Sequence, residues 1–417
     1  MTRWSAPRGR EVETRSVVAT AAAATGLVIA AVAVATAAAA AVVTVVMARR
    51  VVTPVAVREE DERILSVDLA GGEIRLESNP ESAMSGRYGF WFDRESGHAR
   101  LGDVLADDGR TVRRAVTAVD FGRLERARRG RMNGWYYLGP WELGHPYENV
   151  VVETALGPAP AWHIPADAPT PNSNWVVQVH GRGAKRHEAL RAVDTAREAG
   201  WDSLLVSYRN DGEAPDSVDR RYGLGGTEWA DVVAAARYAV EHGADRIVLM
   251  GWSMGGAISL QAVLRSDEVR ERLVGIVLDS PAIDWSDILR FQGRAIGLPH
   301  PIGDLTTRLL GTDAAIGLTG LAAPIDLEGL DVVARADEFD VPILLMHSVD
   351  DGFVPIDGSR RLAAARPDLV DFEEFEGARH TKLWNHDPER WTSALRRFLD
   401  GRADALPTDD LTDEIVG

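Results

Sequence analysis

Gly251-Trp252-Ser253-Met254-Gly255 is a G-x-S-x-G pattern that follows the apolar run Ile247–Met250 and opens a helical stretch. A serine hydroxyl attacks a carbonyl only if it stands clear of its backbone, and glycines on either side leave room for the sharp strand-to-helix turn this requires. A free hydroxyl is a poor nucleophile, so a base and an orienting acid must accompany it. Past the apolar run Pro342–Met346 lies His347-Ser348-Val349-Asp350-Asp351-Gly352-Phe353-Val354-Pro355, where Asp351 is the first candidate acid and Asp350 the second. Asp279, after the run Val274–Leu278, is a further acid position without that context. Gly377-Ala378-Arg379-His380 follows a strand candidate at 371–375 and places His380 as the base. The chain order serine, acid, histidine is the one this pattern uses.

Charge that develops on a carbonyl oxygen needs backbone N–H donors. Met254, next to the serine at the positive end of its helix, supplies one. The other is expected from His180-Gly181-Arg182-Gly183, after the strand candidate ending at Val179, with the Arg182 amide favoured over that of Gly183. Arg209, at the end of the strand Leu204–Tyr208, is a possible substrate-binding residue; the commoner fate of such an arginine is a structural pair with an acid.

These motifs need a scaffold that brings strand ends together. From Trp175 onwards, strands apolar on both faces alternate with helices of ten or more residues, which predicts a mostly parallel sheet covered on both sides. The stretch from about 284 to 336 interrupts the alternation and is read as a small cap. Ahead of it, from Ile64 to about Glu153, short alternating strands with aromatic enrichment predict a β-rich accessory region; Tyr88–Phe92 and Trp135–Leu138 are among its strand candidates. Leu156–Asn174, with its Pro and Ala residues, reads as an approach loop. No charged residue stands between Ser16 and Ala48, and about 20 apolar residues suffice to span a bilayer. The expected organisation is therefore a tail (1–15), a transmembrane helix (16–48), a juxtamembrane linker (49–63), the β-rich region (64–155), the α/β unit (156–401) and an acidic tail (402–417).

Composition narrows the function classes. The chain has 417 residues and a net charge of −17, while its first fifty residues carry six Arg against two Glu. The remainder is strongly acidic and repels phosphate backbones, so nucleic acid is not an expected partner. With no cysteine, disulfides, thiolate metal sites and cysteine nucleophiles are excluded. Arginines flank the apolar segment evenly; a short tail ahead of a first helix favours the body outside the cytoplasm.

Taken together, His180-Gly181, Gly251–Gly256, His347–Pro355 and Gly377–His380 resemble the α/β-hydrolase superfamily, in particular its bacterial prolyl-oligopeptidase-like and acylaminoacyl-peptidase-like branch. The resemblance spans about 175–399. It implies the α/β-hydrolase fold, a Ser253–Asp351–His380 triad, and hydrolysis of small ester, amide or peptide substrates through an acyl-enzyme, without metal or organic cofactor. The β-rich region is too short for the propeller that restricts oligopeptidases to peptides, which leaves esterase chemistry equally open. An acyltransferase with the same triad and a non-catalytic membrane-tethered binding protein are the alternatives.

Overall fold

A computed structural model describes residues 32–55, 58–167 and 173–405. The expected N-terminal tail, the first half of the apolar segment and most of the acidic tail lie outside the described residues.

Helix α1 (Val32–Val52) runs past Ala48, through Arg49 and Arg50. Its first half is exposed, with Val34 and Val42 open to the surroundings, whereas Ala48 and Val52 are buried in the core of the α/β unit. An apolar sequence thus presents two environments along one helix. The end that meets the body is held by hydrogen bonds: Arg182 Nε donates to the Val51 carbonyl (2.7 Å), and its Nη2 to those of Arg50 and Thr53. The Tyr222 N–H donates to the Val52 carbonyl at 2.8 Å. These are the carbonyls that a helix leaves unpaired at its C-terminus.

Six antiparallel strands follow: β1 (Glu62–Asp68), β2 (Glu73–Glu77), β3 (Tyr88–Phe92), β4 (Gly97–Asp107), β5 (Thr111–Phe121) and β6 (Arg129–Asn133). They close into a barrel in the order β1-β2-β5-β4-β3-β6, with β6 returning to β1. Closure removes exposed sheet edges. Ile64, Ile74, Leu76, Tyr88, Phe90, Phe92, Leu101 and Val112 fill its interior. Arg114 is buried there too, and its guanidinium donates to the carbonyls of Ser82, Met84, Gly86 and Gly102, pinning the 82–86 loop. The barrel ends at Asn133. Trp135–Leu138 is irregular rather than a strand, because the Gly134 carbonyl bonds Asn385 Nδ2 (3.1 Å) instead of a neighbouring strand.

The second unit is an eight-stranded sheet in the order β14-β13-β12-β11-β9-β10-β8-β7. Its strands are β7 (Glu148–Thr154), β8 (Gly157–Ile164), β9 (Asn174–Val179), β10 (Trp201–Val206), β11 (Arg246–Trp252), β12 (Leu273–Asp279), β13 (Ile343–Ser348) and β14 (Val370–Phe375). β7 joins this sheet, not the barrel, and β8 replaces the expected approach loop. Pro158 and Pro160 sit in the part of β8 that pairs only with β7; pairing with β10 begins at Ala161. Their missing N–H groups therefore cost no ladder bond. Strands β9 to β14 are all parallel. Helices α3 (Trp229–Glu241) and α4 (Met254–Arg265) cover one face; α2 (Leu190–Glu198) and α11 (Pro388–Asp400) cover the other. Between β12 and β13 come α6 (Trp285–Ala295), α7 (Pro301–Leu310) and α8 (Ala314–Thr319), after the short α5 (Asp267–Arg270). This insertion lies against the lower end of α1, with Met47 beside Gly293 and Arg49 Nε donating to the Leu318 carbonyl. Helices α9 (Asp357–Ala365) and α10 (Leu383–His386) complete the unit.

Candidate active site

Ligands of parallel sheets gather beyond the carboxyl ends of the strands, and there the loops after β9, β11, β13 and β14 converge. Ser253 follows β11 and caps the start of α4 with φ 52° and ψ −117°. This left-handed conformation is costly for a residue with a Cβ and persists only where the surroundings enforce it. They do so by packing: a Cβ on Gly255 would lie 2.0 Å from the Val179 carbonyl oxygen, and one on Gly251 2.4 Å from Gly255. Only glycine fits at either flank. The Ser253 N–H donates to the Asp279 carbonyl (3.0 Å), while the Ser253 carbonyl accepts from Ala282 (3.0 Å).

The Ser253 hydroxyl is 2.9 Å from His380 Nε2, and His380 Nδ1 is 2.7 Å from Asp351 Oδ2. Asp351 is buried, and its Oδ1 accepts the N–H groups of Phe353 (2.8 Å) and Val354 (2.9 Å). Burial alone would raise its pKa, but the His380 and His347 imidazoles bring it well below the ordinary carboxylate value. Asp350 instead accepts the Gly377 N–H (2.7 Å) and steadies the start of the histidine loop. Asp279 is fully buried, bonded by Trp391 Nε1 and Ser280 Oγ (2.9 Å each), and burial raises its pKa.

Beside Ser253 the loop 181–183 lines the same cleft. The Gly181 N–H donates to Glu188 Oε2 (2.7 Å). The Arg182 N–H has no acceptor among the described residues. Met254, the first residue of α4, offers its N–H at a helix start. His180 is buried away from the cleft, stacked on Tyr208 and bonded to Asp211 (3.1 Å).

Arg209 is not brought to this cleft. Its Nε and Nη2 grip Asp231 at 2.8 and 2.7 Å, and it lines a separate cavity with Ser217, Asp219 and Pro324. The structural pair prevails over the substrate-binding role.

Several participants carry no motif in the sequence. His347 Nε2 also reaches Asp351 Oδ2 (3.2 Å). Arg191 links two loops: it pairs with Glu188 (3.5 Å) and donates to the Thr381 carbonyl (2.6 Å), the residue after His380. From the barrel, Glu81 pairs with Arg379 and Lys382, which bracket His380. A cleft of about 270 Å³ over Ser253 is lined by Val55, Arg58, Arg131, Asn133, Trp135, Arg182, Glu188, Phe353 and His380 among others. Among the described residues no group of three or more His, Asp or Glu side chains converges as metal ligands would.

Residues 174–296 match the family model described as alpha/beta hydrolase fold, and residues 63–133 match a domain of unknown function (DUF8805). By topology and by this match, the unit built on β7 to β14 has the α/β-hydrolase fold. The uncharacterized protein YqkD of Bacillus subtilis (strain 168) is 21% identical over 243 residues, covering 57% of this chain and 75% of its own. Among solved structures, the Pyrococcus furiosus esterase Pf2001 is 17% identical with a TM-score of 0.49, over 64% of this chain and 95% of its own. Est1E of Butyrivibrio proteoclasticus, solved with ferulic acid, is 16% identical with a TM-score of 0.48, over 61% and 100%. A puromycin-hydrolyzing peptidase of Mycobacterium tuberculosis is 20% identical with a TM-score of 0.44, over 79% and 45%.

Proposed function

We propose that this protein is a serine hydrolase that cleaves ester, amide or peptide bonds through an acyl-enzyme on Ser253. The observation that carries this is the unbroken line from Ser253 Oγ through His380 to the buried Asp351 carboxylate. His380 Nε2 takes the hydroxyl proton as Oγ attacks the substrate carbonyl. The same proton passes to the leaving alcohol or amine as the tetrahedral intermediate collapses. Water then repeats the sequence: His380 takes its proton, hydroxide adds to the acyl carbonyl, and the proton returns to Ser253. Asp351 holds the His380 tautomer and stabilises the imidazolium. The Met254 amide and that of Arg182, with Gly183 the alternative, stabilise the oxyanion; the Gly181 amide is already engaged by Glu188.

The same reading makes α1 a single-pass membrane anchor with the body on the extracytoplasmic side. The exposed part of α1 continues the uncharged run that begins at Ser16, and about 20 such residues suffice to span a bilayer. Val32, Val34, Val42 and Val46 are exposed on α1, and Arg49 and Arg50 stand near its lower end. Alkaline phosphatase fused after Val57 reports the side: high activity is expected, and an inactive fusion reverses the orientation.

The test of the chemistry is labelling of the full-length protein by a fluorophosphonate probe. Labelling is expected in the wild type and lost in Ser253→Ala. A folded wild type that resists the probe overturns the mechanism.

A further inference from the structure

One wall of the Ser253 cleft belongs to the barrel. Strand β6 brings Arg131 and Asn133 to it, and the segment after α1 brings Arg58. These two arginines share one acid: Arg58 Nη1 and Arg131 Nη2 reach the same Glu95 Oε1, at 3.1 and 3.3 Å. Two guanidiniums that share one carboxylate oxygen leave some of their N–H donors without an acceptor. Arg58 has other attachments, since it donates to the Gly183 carbonyl and lies 4.5 Å over the Trp135 ring. Arg131 has none: among the described residues its single polar partner is Glu95, although its side chain is only 17% exposed. Burial, then the neighbouring Arg58, push its pKa down to about 10, so it stays charged at neutral pH.

The surroundings offset it only in part: the exposed Asp61 contributes one carboxylate charge, weakened by solvent. Within the cleft the acid is Glu188, which is occupied by the Gly181 N–H and Arg191. The Arg182 guanidinium is turned onto the end of α1. In the adjoining cleft, which shares Arg131, Asn133, Phe353 and His380, Glu81 is taken by Arg379 and Lys382. Glu62 there is pushed up to about 7 by burial, which blunts its charge. A half-buried guanidinium with open donors is matched best by an oxyanion, which accepts two parallel N–H bonds.

We propose that Arg131, seconded by Arg58, binds an anionic oxygen group, a carboxylate or a phosphate, on the substrate whose carbonyl is presented to Ser253. This rests on the hydrolase reading and names its substrate class: acyl compounds carrying a negative group a few bonds from the scissile carbonyl. It also gives the barrel a task, because Arg131 and Asn133 come from β6. In a chain of net charge −17, a local positive site draws an anion that the rest of the surface repels.

The test uses the full-length protein in nanodiscs and two activated esters of equal length, mono-4-nitrophenyl glutarate and its methyl-capped counterpart. The wild type is expected to favour the anionic ester in kcat/KM by about tenfold or more, with the preference falling as salt is added. Arg131→Gln lowers that ratio about ten- to hundredfold, mostly through KM; Arg131→Lys recovers part of it, and Arg58→Gln shifts it in the same direction by less. A phosphonate in place of the carboxylate separates the two kinds of anion. Turnover of the neutral ester with no preference for the anionic one, or a ratio indifferent to Arg131→Gln, overturns the proposal and leaves the hydrolase reading standing. Calorimetry of monomethyl glutarate with Ser253→Ala protein reads the site without turnover. Saturable binding that weakens in the Ser253→Ala, Arg131→Gln double variant is expected, and its absence sinks the anion site even if no ester is cleaved. Loss of fluorophosphonate labelling concerns Ser253 alone.

Discussion

His347 and His380 meet at a single oxygen: His380 Nδ1 lies 2.7 Å and His347 Nε2 3.2 Å from Asp351 Oδ2. The other carboxylate oxygen takes two backbone N–H groups. Every direction from which the carboxylate of Asp351 receives a hydrogen bond is thus defined, and the carboxylate cannot rotate without losing several bonds at once. His347 is itself fixed by Ser359 (2.7 Å), so the orientation of the base is set two side chains behind it.

Asp351→Asn keeps the shape and removes the charge that holds the His380 tautomer. We expect kcat to fall about 10³- to 10⁴-fold, with fluorophosphonate labelling slowed in parallel. Steady-state kinetics on a 4-nitrophenyl ester check it. Because the Asp351 pKa is depressed on folding, its stabilising charge is present above the ordinary value near 3.8 and is lost only as pH falls below that. The acid limb of the rate profile around neutrality therefore does not belong to it.

His347→Gln leaves Ser253, His380 and Asp351 in place and removes the ring that steadies them. The expected result is a fall in kcat of about tenfold, a loss typical of one hydrogen bond to a charged group, with KM little changed. Full wild-type kcat would deny His347 any positioning role.

Glu62 is buried in the barrel wall with one hydrogen bond, from Asn79 at 2.9 Å. Burial raises its pKa to about 7, so the folded state holds a proton that the unfolded chain releases near 4.5. Stability from this group is full below the unfolded value and declines as pH rises to 7 and beyond. Glu62→Gln should accordingly raise the melting temperature, by more at pH 8 than at pH 5, corresponding to about 1–3 kcal/mol at the higher pH. Thermal melts at the two pH values measure it.

Arg191→Lys keeps a charge beside Glu188 but cannot also reach Thr381 and Asn385 in the same planar geometry. A drop in kcat of about tenfold is expected together with a melting temperature lower by a few degrees. Equal activity in a destabilised variant would assign Arg191 to stability alone.

The positions of Ser253, Asp351 and His380 are legible because each stands in a local pattern with a local cause. Gly251 and Gly255 are needed within two residues of Ser253, and Asp351 and His380 follow apolar runs whose length marks buried parallel strands. The parallel sheet was readable for the same reason. Other features depend on contacts between distant segments. Trp135–Leu138 has strand composition, yet the Gly134 carbonyl meets Asn385 and no ladder forms. Pro158 and Pro160 suggested a loop, but β8 places them where no partner needs their N–H groups. Arg209 reads either way in the sequence; Asp231, on a helix 22 residues later, accepts from its Nε and Nη2. Arg58 and Arg131 are unremarkable among many arginines. Their meaning comes from one shared glutamate and the serine they face.

Arg182 joins the end of α1 to the loop beside Ser253: its side chain holds the carbonyls of Arg50, Val51 and Thr53, and the residue lines the cleft. The body is therefore not leashed to the helix by a slack cord; it is mounted on it like a tool on a shaft. The compass bearing of its mouth is tied to the helix axis, so whatever holds α1, a bilayer under the anchor reading proposed above, also aims the cleft.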